Sequence, residues 1–255
     1  MIEVKTGKRM ELVIDIGNTS TKLAVFKNNK LQKHWQFEGL IKKKELLSII
    51  KSTQPVNAII ASVRNDSSSI EKIIEQKIKT INLSTVNLKE NSIKLPFINK
   101  YKTPETLGRD RLANAAAAAV LSAHHNNLVV DAGTCLKFDF IDFKGNYIGG
   151  SISPGLQMRF KGLNFFTGKL PLISPKKLFS PIGRSTEESI RAGVQQGMIN
   201  EINATIEQYE NSYYPLNIIL TGGDSRLFVK HLKKSIFADP FLTLRGLHCI
   251  LDYNT

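Results

Sequence analysis

Cysteine is scarce in this chain. Only Cys135 and Cys249 occur among 255 residues, too few for a disulfide framework and without the paired spacing of a zinc site. That usage fits a reducing compartment, so a cytoplasmic location is expected. Long apolar runs are also missing. None approaches the ~18 residues needed to cross a bilayer, and no membrane association is expected. The start, Met1 to Met10, is charged and lacks the apolar stretch of a signal peptide. His124-His125 has no companion at metal-ligand spacing and reads as a solvated helix end.

Acidic residues are outnumbered, 22 Asp and Glu against 35 Lys and Arg, for a net charge of +13. Such an excess raises the question of nucleic acid. Yet there is no Arg-rich block, the lysines are scattered (Lys42-Lys43-Lys44, Lys176-Lys177, Lys233-Lys234), and no aromatics interleave with them. The charge reads as an ordinary lysine-rich surface; attraction of anionic ligands such as ATP is a further use that needs no special motif, and no nucleic-acid partner is expected. The 42% hydrophobic content is enough for a sizeable core in one large or two small domains.

What is present is a pattern that occurs twice. Leu12 to Ile16 is a short apolar strand that delivers Asp15 to a glycine turn, Asp15-Ile16-Gly17-Asn18-Thr19. Strands over Thr21 to Lys27 and Lys30 to Phe37 follow, separated by the turn Asn28-Asn29. Helices are expected over Lys43 to Lys51 and Ser68 to Lys79, with strands over Ala58 to Val63 and Thr80 to Val86. Asp110 to Ala123 is an Ala-rich, closely packed helix. Then Leu128-Val129-Val130-Asp131-Ala132-Gly133-Thr134 repeats the opening, with Lys137 in the place of Lys22 and Lys144-Gly145 in the place of Asn28-Asn29. Ser185-Thr186-Glu187-Glu188 is a capping box before a long helix, on which Gly193 and Gly197 lie one turn apart. Asn217 to Thr221 is a strand entering Gly222-Gly223-Asp224. The expected organisation is α/β, two copies of one unit over residues 1–118 and 119–255, with a boundary near residues 115–127 and a ligand cleft between the copies.

The first turn has the makings of a phosphate site. Gly17 allows a close backbone turn. Asn18, Thr19, Ser20 and Thr21 offer N–H groups and hydroxyls to phosphate oxygens. Asp15 suits Mg²⁺ held through water, and Lys22 either adds positive charge or sits on a solvated strand. Together with the second Asp-x-Gly-Thr and the glycines of Leu220-Thr221-Gly222-Gly223-Asp224, the pattern resembles the actin, heat-shock ATPase and sugar kinase superfamily. Its duplicated ribonuclease H-like (actin-like ATPase) domains clamp ATP in an interdomain nucleotide cleft.

Three further stretches narrow the resemblance. Thr103-Pro104-Glu105-Thr106-Leu107-Gly108-Arg109-Asp110-Arg111, Tyr147-Ile148-Gly149-Gly150-Ser151-Ile152-Ser153-Pro154-Gly155 and Gly183-Arg184-Ser185-Thr186-Glu187-Glu188-Ser189-Ile190-Arg191-Ala192-Gly193 look like signature segments of type III pantothenate kinase. The likeness runs from about Leu12 to about Asp224. It implies transfer of phosphate from ATP to the 4′-hydroxyl of pantothenate, the first committed step toward coenzyme A. It implies that Asp15, Ile16, Gly17, Asn18, Thr19, Ser20, Thr21 and Lys22 bind the ATP phosphates, with Thr134 also touching ATP. Asp110 would be the general base. Tyr101, Gly108, Arg109, Asp110 and Arg111 would line the pantothenate site, and Thr186 would reach it across a homodimer interface. Asp131 would hold a monovalent cation, K⁺ or NH₄⁺, alongside the Mg²⁺ that accompanies ATP.

Several alternatives stay open at the level of sequence. Arg111 could clamp the substrate carboxylate bidentately or pair with Asp110. Ser185 or Thr186 could cap the long helix. Cys135-Leu136-Lys137 stands where the family often has small hydroxyl residues, so Lys137 could touch a phosphate or put an amine in the cation's place. Cys135 is expected to be a small buried residue. The chain begins about nine residues before the family's usual first strand. A non-catalytic relative, a nucleic-acid binder and a kinase for another alcohol are the competing readings. The presence of Asp15, Asp110, Asp131 and Thr134 together argues against the first.

Overall fold

The computed structural model describes residues 9–85, 93–176 and 180–255. The leading residues 1–8, Val86 at the end of an expected strand, and Lys177 lie outside the described residues. The chain forms two units. One comprises residues 1–96, 101–120 and 242–255, the other 97–100 and 121–241.

The first unit is built on a five-stranded sheet. Its strands are β1 (Met10–Ile16), β2 (Ser20–Lys27), β3 (Lys30–Glu38), β4 (Asn57–Ser62) and β5 (Lys79–Asn82), in the order β3-β2-β1-β4-β5. The first three are antiparallel, whereas β4 and β5 add in parallel on the other side of β1. Asn28 and Asn29 both take positive φ, 49° and 61°, the left-handed pair that a tight two-residue hairpin turn demands. The parallel additions need crossovers, supplied by α1 (Lys43–Thr53) and α2 (Ser68–Glu75). The apolar runs of β1 and β4 are buried because helices cover the sheet: Leu12, Ile14, Leu23, Val25, Leu46, Ile60, Ile70 and Ile74 form one cluster. Helix α2 stops at Glu75, short of the expected Lys79, because Lys79 to Asn82 are drawn into parallel pairing with β4.

The Ala-rich helix α3 (Arg109–Leu121) also belongs to this unit up to Val120. Ala113 and Ala115 to Ala118 are all fully buried. Their small side chains let the C-terminal helix (Leu242–Asp252) approach until Gly246 packs on the Ala113 carbonyl. Thr243 Oγ1 donates to Asn114 Oδ1 at 2.9 Å across the same contact. The C-terminal helix also lies on β1, β2 and β4. There His248 Nε2 meets Glu11 Oε2 at 2.7 Å, and its ring stacks on Phe26 at 4.2 Å. A second half running unbroken from 119 to 255 was the expectation. The structure instead groups residues 242–255 with the first unit, because the helix buries Leu244, Leu247, Ile250 and Leu251 in that assembly.

The second unit repeats the first. Its strands are β6 (Ile98–Asn99), β7 (Asn126–Ala132), β8 (Cys135–Ile141), β9 (Asn146–Pro154), β10 (Leu216–Thr221) and β11 (Phe237–Ala238), ordered β11-β10-β7-β8-β9-β6. Read from β9 to β11, the order and directions match β3-β2-β1-β4-β5, and β6 is an added edge strand. Helices α4 (Leu156–Phe165), α5 (Thr186–Arg191) and α6 (Gly197–Tyr213) cover this sheet. The stripe Ile190, Val194, Met198, Ile202 and Ile206 faces Leu128, Val130, Phe138 and Leu220. The single long helix expected here is wound as a π-stretch over Ala192–Gln196. After Gly222-Gly223-Asp224 the chain forms a short helix, α7 (Ser225–Phe228).

Gly246 supplies a direct test of the closest helix contact. A Cβ there would fall 1.7 Å from the Ala113 carbonyl oxygen, a backbone atom that cannot swing aside. Gly246→Val should lower the stability to urea by about 3 kcal/mol, the upper range of overpacking penalties. An unchanged unfolding midpoint would refute the tight contact.

Candidate active site

In both units a glycine turn that carries candidate residues stands at the C-terminal end of the central strand. In the first, β1 ends with Asp15 and Ile16. Asp15 is half-buried and lies directly across the hairpin from Lys22. Ile16 is fully buried and takes part through its backbone, its carbonyl accepting the Val63 N–H at 3.1 Å. Gly17 N–H closes the turn on the Ser20 carbonyl at 3.0 Å, and Asn18 and Thr19 project as the exposed tip. Thr21 does not join them. It is fully buried, and its hydroxyl donates to the Gly39 carbonyl at 2.7 Å, so it braces the turn from beneath.

Arg64, just beyond β4, is a residue that motif reading missed. Its Nη1 donates to the Asn18 carbonyl at 3.0 Å, and its Nε and Nη2 hold Asp66 bidentately at 2.7 Å. The parallel β1-β4 pairing brings it there, because the residue after β4 must leave the sheet beside the residue after β1. The only sequence signal was an arginine immediately after a buried strand.

The Gly108–Arg111 segment opens α3. Gly108 accepts the Leu112 N–H at 3.0 Å, and Asp110 Oδ1 accepts the Arg111 N–H at 2.8 Å. A Cβ on Gly108 would lie 2.7 Å from Asp110 Oδ1, so glycine makes the room this carboxylate uses. Arg111 is buried, with its guanidinium 5.5 Å from the centre of the Tyr101 ring, a cation–π arrangement. Arg109 is partly buried, and that burial lowers its pKa. Tyr101, Gly108, Arg109, Asp110 and Arg111 all belong to the first unit.

The second unit presents the counterpart. Gly133 N–H closes the turn on the Cys135 carbonyl at 3.1 Å, and Thr134 is exposed at the tip. Asp131 is 6% exposed. Its Oδ2 lies 2.8 Å from Lys137 Nζ, the lysine directly across the hairpin. The cation expected at Asp131 therefore meets a carboxylate already paired with an ammonium. Gly222, at φ +96°, packs on the Ala132 carbonyl, and Asp224 N–H donates to that same carbonyl at 2.9 Å. Burial pushes the Asp224 carboxyl up from its ordinary pKa. Gly155, at the start of α4, backs the turn so closely that a Cβ would stand 2.4 Å from the Gly133 and Thr134 carbonyls. Cys135, expected to be buried, is half-exposed, its Sγ 3.9 Å from Met158 Sδ.

At Thr186 the choice between caps resolves. Ser185 is the N-cap of α5, its Oγ accepting the Glu188 N–H at 3.3 Å. Thr186 is the first helical residue and is exposed. Glu188 reaches back to the Arg184 N–H at 2.8 Å.

Residues 11–208 match the family model described as type III pantothenate kinase. The chain belongs to the type III pantothenate kinases. A type III pantothenate kinase of Phocaeicola vulgatus is 45% identical over 246 residues, covering 96% of this chain and 99% of that one. Among solved structures, a conserved putative Baf family transcriptional activator from Campylobacter jejuni superposes with a TM-score of 0.61 at 20% identity, over 94% of this chain and 97% of that one. A putative N-acetylmannosamine kinase from Listeria monocytogenes superposes with a TM-score of 0.52 at 12% identity, over 95% and 99%. These structural likenesses agree with two actin-like, ribonuclease H-like α/β units. In this chain, Ser185 and Thr186 should separate cleanly by mutation. Ser185→Ala should cost about 1 kcal/mol of stability through the lost cap. Thr186→Ala should cost less than about 0.5 kcal/mol, as exposed sites do. Equal losses in urea unfolding would refute the assignment.

Proposed function

We propose that this chain phosphorylates the 4′-hydroxyl of pantothenate with ATP, giving 4′-phosphopantothenate for coenzyme A biosynthesis. The observation that carries the reading is the Gly108–Arg111 segment within the family match. It presents Asp110 in the first turn of α3, beside a glycine whose missing Cβ leaves space at the carboxylate.

Phosphoryl transfer needs positioning and charge neutralisation more than covalent chemistry. The Asp15–Lys22 turn offers backbone N–H groups at an exposed tip, and Arg64, held by Asp66, braces the Asn18 carbonyl there. These groups would hold the ATP phosphates, with Thr134 as a further ATP contact. Among the described residues no cluster of three or more acidic, His or Cys side chains is built to cage a metal. A half-buried Asp15 at the turn fits Mg²⁺, which keeps most of its waters and shares the phosphates. Bound there, Mg²⁺ would supply neutralisation of phosphate charge. Asp110 takes the proton from the attacking hydroxyl, the usual task of a carboxylate within hydrogen-bond reach. Arg111, steadied by the Tyr101 ring, and Arg109 supply the charge that suits a pantothenate carboxylate.

We also propose a homodimer, with Thr186 reaching substrate across its interface. The support is the Gly193 and Gly197 turn. A Cβ at either glycine would meet no other described atom within 4 Å, which leaves room for a second helix to approach. Sedimentation should return a dimer, and a monomer at micromolar concentration would count against the interface.

The deciding measurement is coupled detection of ADP release with pantothenate, Mg²⁺ and ATP. Turnover with another alcohol but not with pantothenate would sink the substrate assignment. Asp110→Asn should keep the fold and ATP binding while turnover falls about 10²–10⁴-fold, the scale of a lost general base. Near wild-type turnover would remove Asp110 from that role.

A further inference from the structure

The surroundings of Asp131 do not fit an added monovalent cation. Asp131 stands at the end of β7 and is 6% exposed. The antiparallel register places Lys137 of β8 directly opposite. Its Nζ sits 2.8 Å from Asp131 Oδ2, with the two side chains 12% and 9% exposed. Glycine backbone encloses the other oxygen: a Cβ on Gly222 would lie 2.6 Å from Oδ1, and one on Gly133 3.1 Å. A carboxylate so deeply buried requires a partner of opposite charge. Lys137 already provides one, from within the same hairpin. A free cation at this carboxylate would place a second positive charge against the ammonium, in surroundings where charges are poorly screened.

We propose that the Lys137 ammonium serves as a built-in cation at Asp131, taking the place of a free monovalent ion, so that this chain binds and needs neither potassium nor free ammonium. One positive charge stands at the carboxylate in either case. An ammonium on a side chain offers the same N–H donors as the free ion, but it cannot diffuse away. It holds the end of β7, and with it the Gly133–Thr134 turn and the Gly222 loop, at any salt composition. The activity arm of the test rests on the pantothenate kinase reading; the binding arm does not.

The test uses the full chain and a Lys137→Met variant, exchanged into choline chloride and compared with KCl and NH₄Cl at equal ionic strength. Thermal unfolding is read first, since an ion that binds only the folded state raises the midpoint. The wild type should melt at the same temperature in all three salts. Lys137→Met should melt lower in choline chloride and be raised specifically by KCl and NH₄Cl. ADP release with pantothenate should follow the same pattern. Wild-type turnover should be indifferent to potassium. The variant should lose roughly tenfold or more in choline chloride, as befits a buried carboxylate stripped of its counter-charge, and regain it with potassium. A potassium-specific rise in the wild-type midpoint, or wild-type turnover that depends on potassium, overturns the proposal whether or not the variant folds. A folded variant indifferent to potassium in both arms also overturns it. If no salt gives turnover with pantothenate, the substrate reading fails and the melting arm still decides the role of Lys137.

Discussion

The central strand of each unit pairs antiparallel on one side and parallel on the other. Both glycine turns depend on that asymmetry. The antiparallel side makes the hairpin whose tip is a glycine turn, and it sets Lys22 opposite Asp15 and Lys137 opposite Asp131. The parallel side makes a neighbouring strand end at the same edge of the sheet, so its following loop joins the turn. In the first unit that loop brings Arg64 to Asn18. In the second it brings Gly222 and Asp224 to Ala132. Arg64 and the Gly222–Asp224 loop are therefore occupants of equivalent positions in two copies of one topology. Open α/β sheets collect ligands at the carboxyl ends of their strands for this reason.

The duplication let the two copies diverge in electrostatics while keeping geometry. At the first turn Asp15 is half-buried, and an arginine held by Asp66 braces the Asn18 carbonyl at the rim. At the second turn the lysine is drawn in against the aspartate and the pair is enclosed. A half-buried carboxylate retains water with which to share a divalent ion, whereas an enclosed one is committed to its partner. The same Asp-x-Gly turn thus stands in two different electrostatic settings.

Much of this was legible in the sequence, because its signals are local or repeated. The echo of Asp15-Ile16-Gly17 in Asp131-Ala132-Gly133 disclosed the duplication, and periodicity disclosed the crossover helices α1 and α2. Ser185 and Glu188 announced a helix start three residues apart, as a cap must. The features that escaped notice depend on register or on distant chain. Thr21 looked like a phosphate ligand, yet it alternates with Leu23 and Val25, which face the core. A strict reading of period two would have turned it inward. The Lys137 pairing follows from counting equal steps on either side of a turn, but how deeply the pair is buried depends on Gly222, some ninety residues later. The C-terminal helix has a clear apolar stripe. Nothing local, however, says which sheet that stripe covers.

That last helix has a consequence for how the molecule is made. Glu11 in the first strand and His248 near the end of the chain are direct partners, as are Asn114 and Thr243. The opening sheet is made early, whereas the helix that lies on it is made only after the second unit. Throughout synthesis of the second unit, the face formed by β1, β2 and β4 lacks its cover, and contacts of such long sequence separation form slowly. The nascent first half therefore carries an uncovered apolar surface for most of translation, the condition under which growing chains need chaperones most. A chain cut before Leu242 would keep that face uncovered permanently.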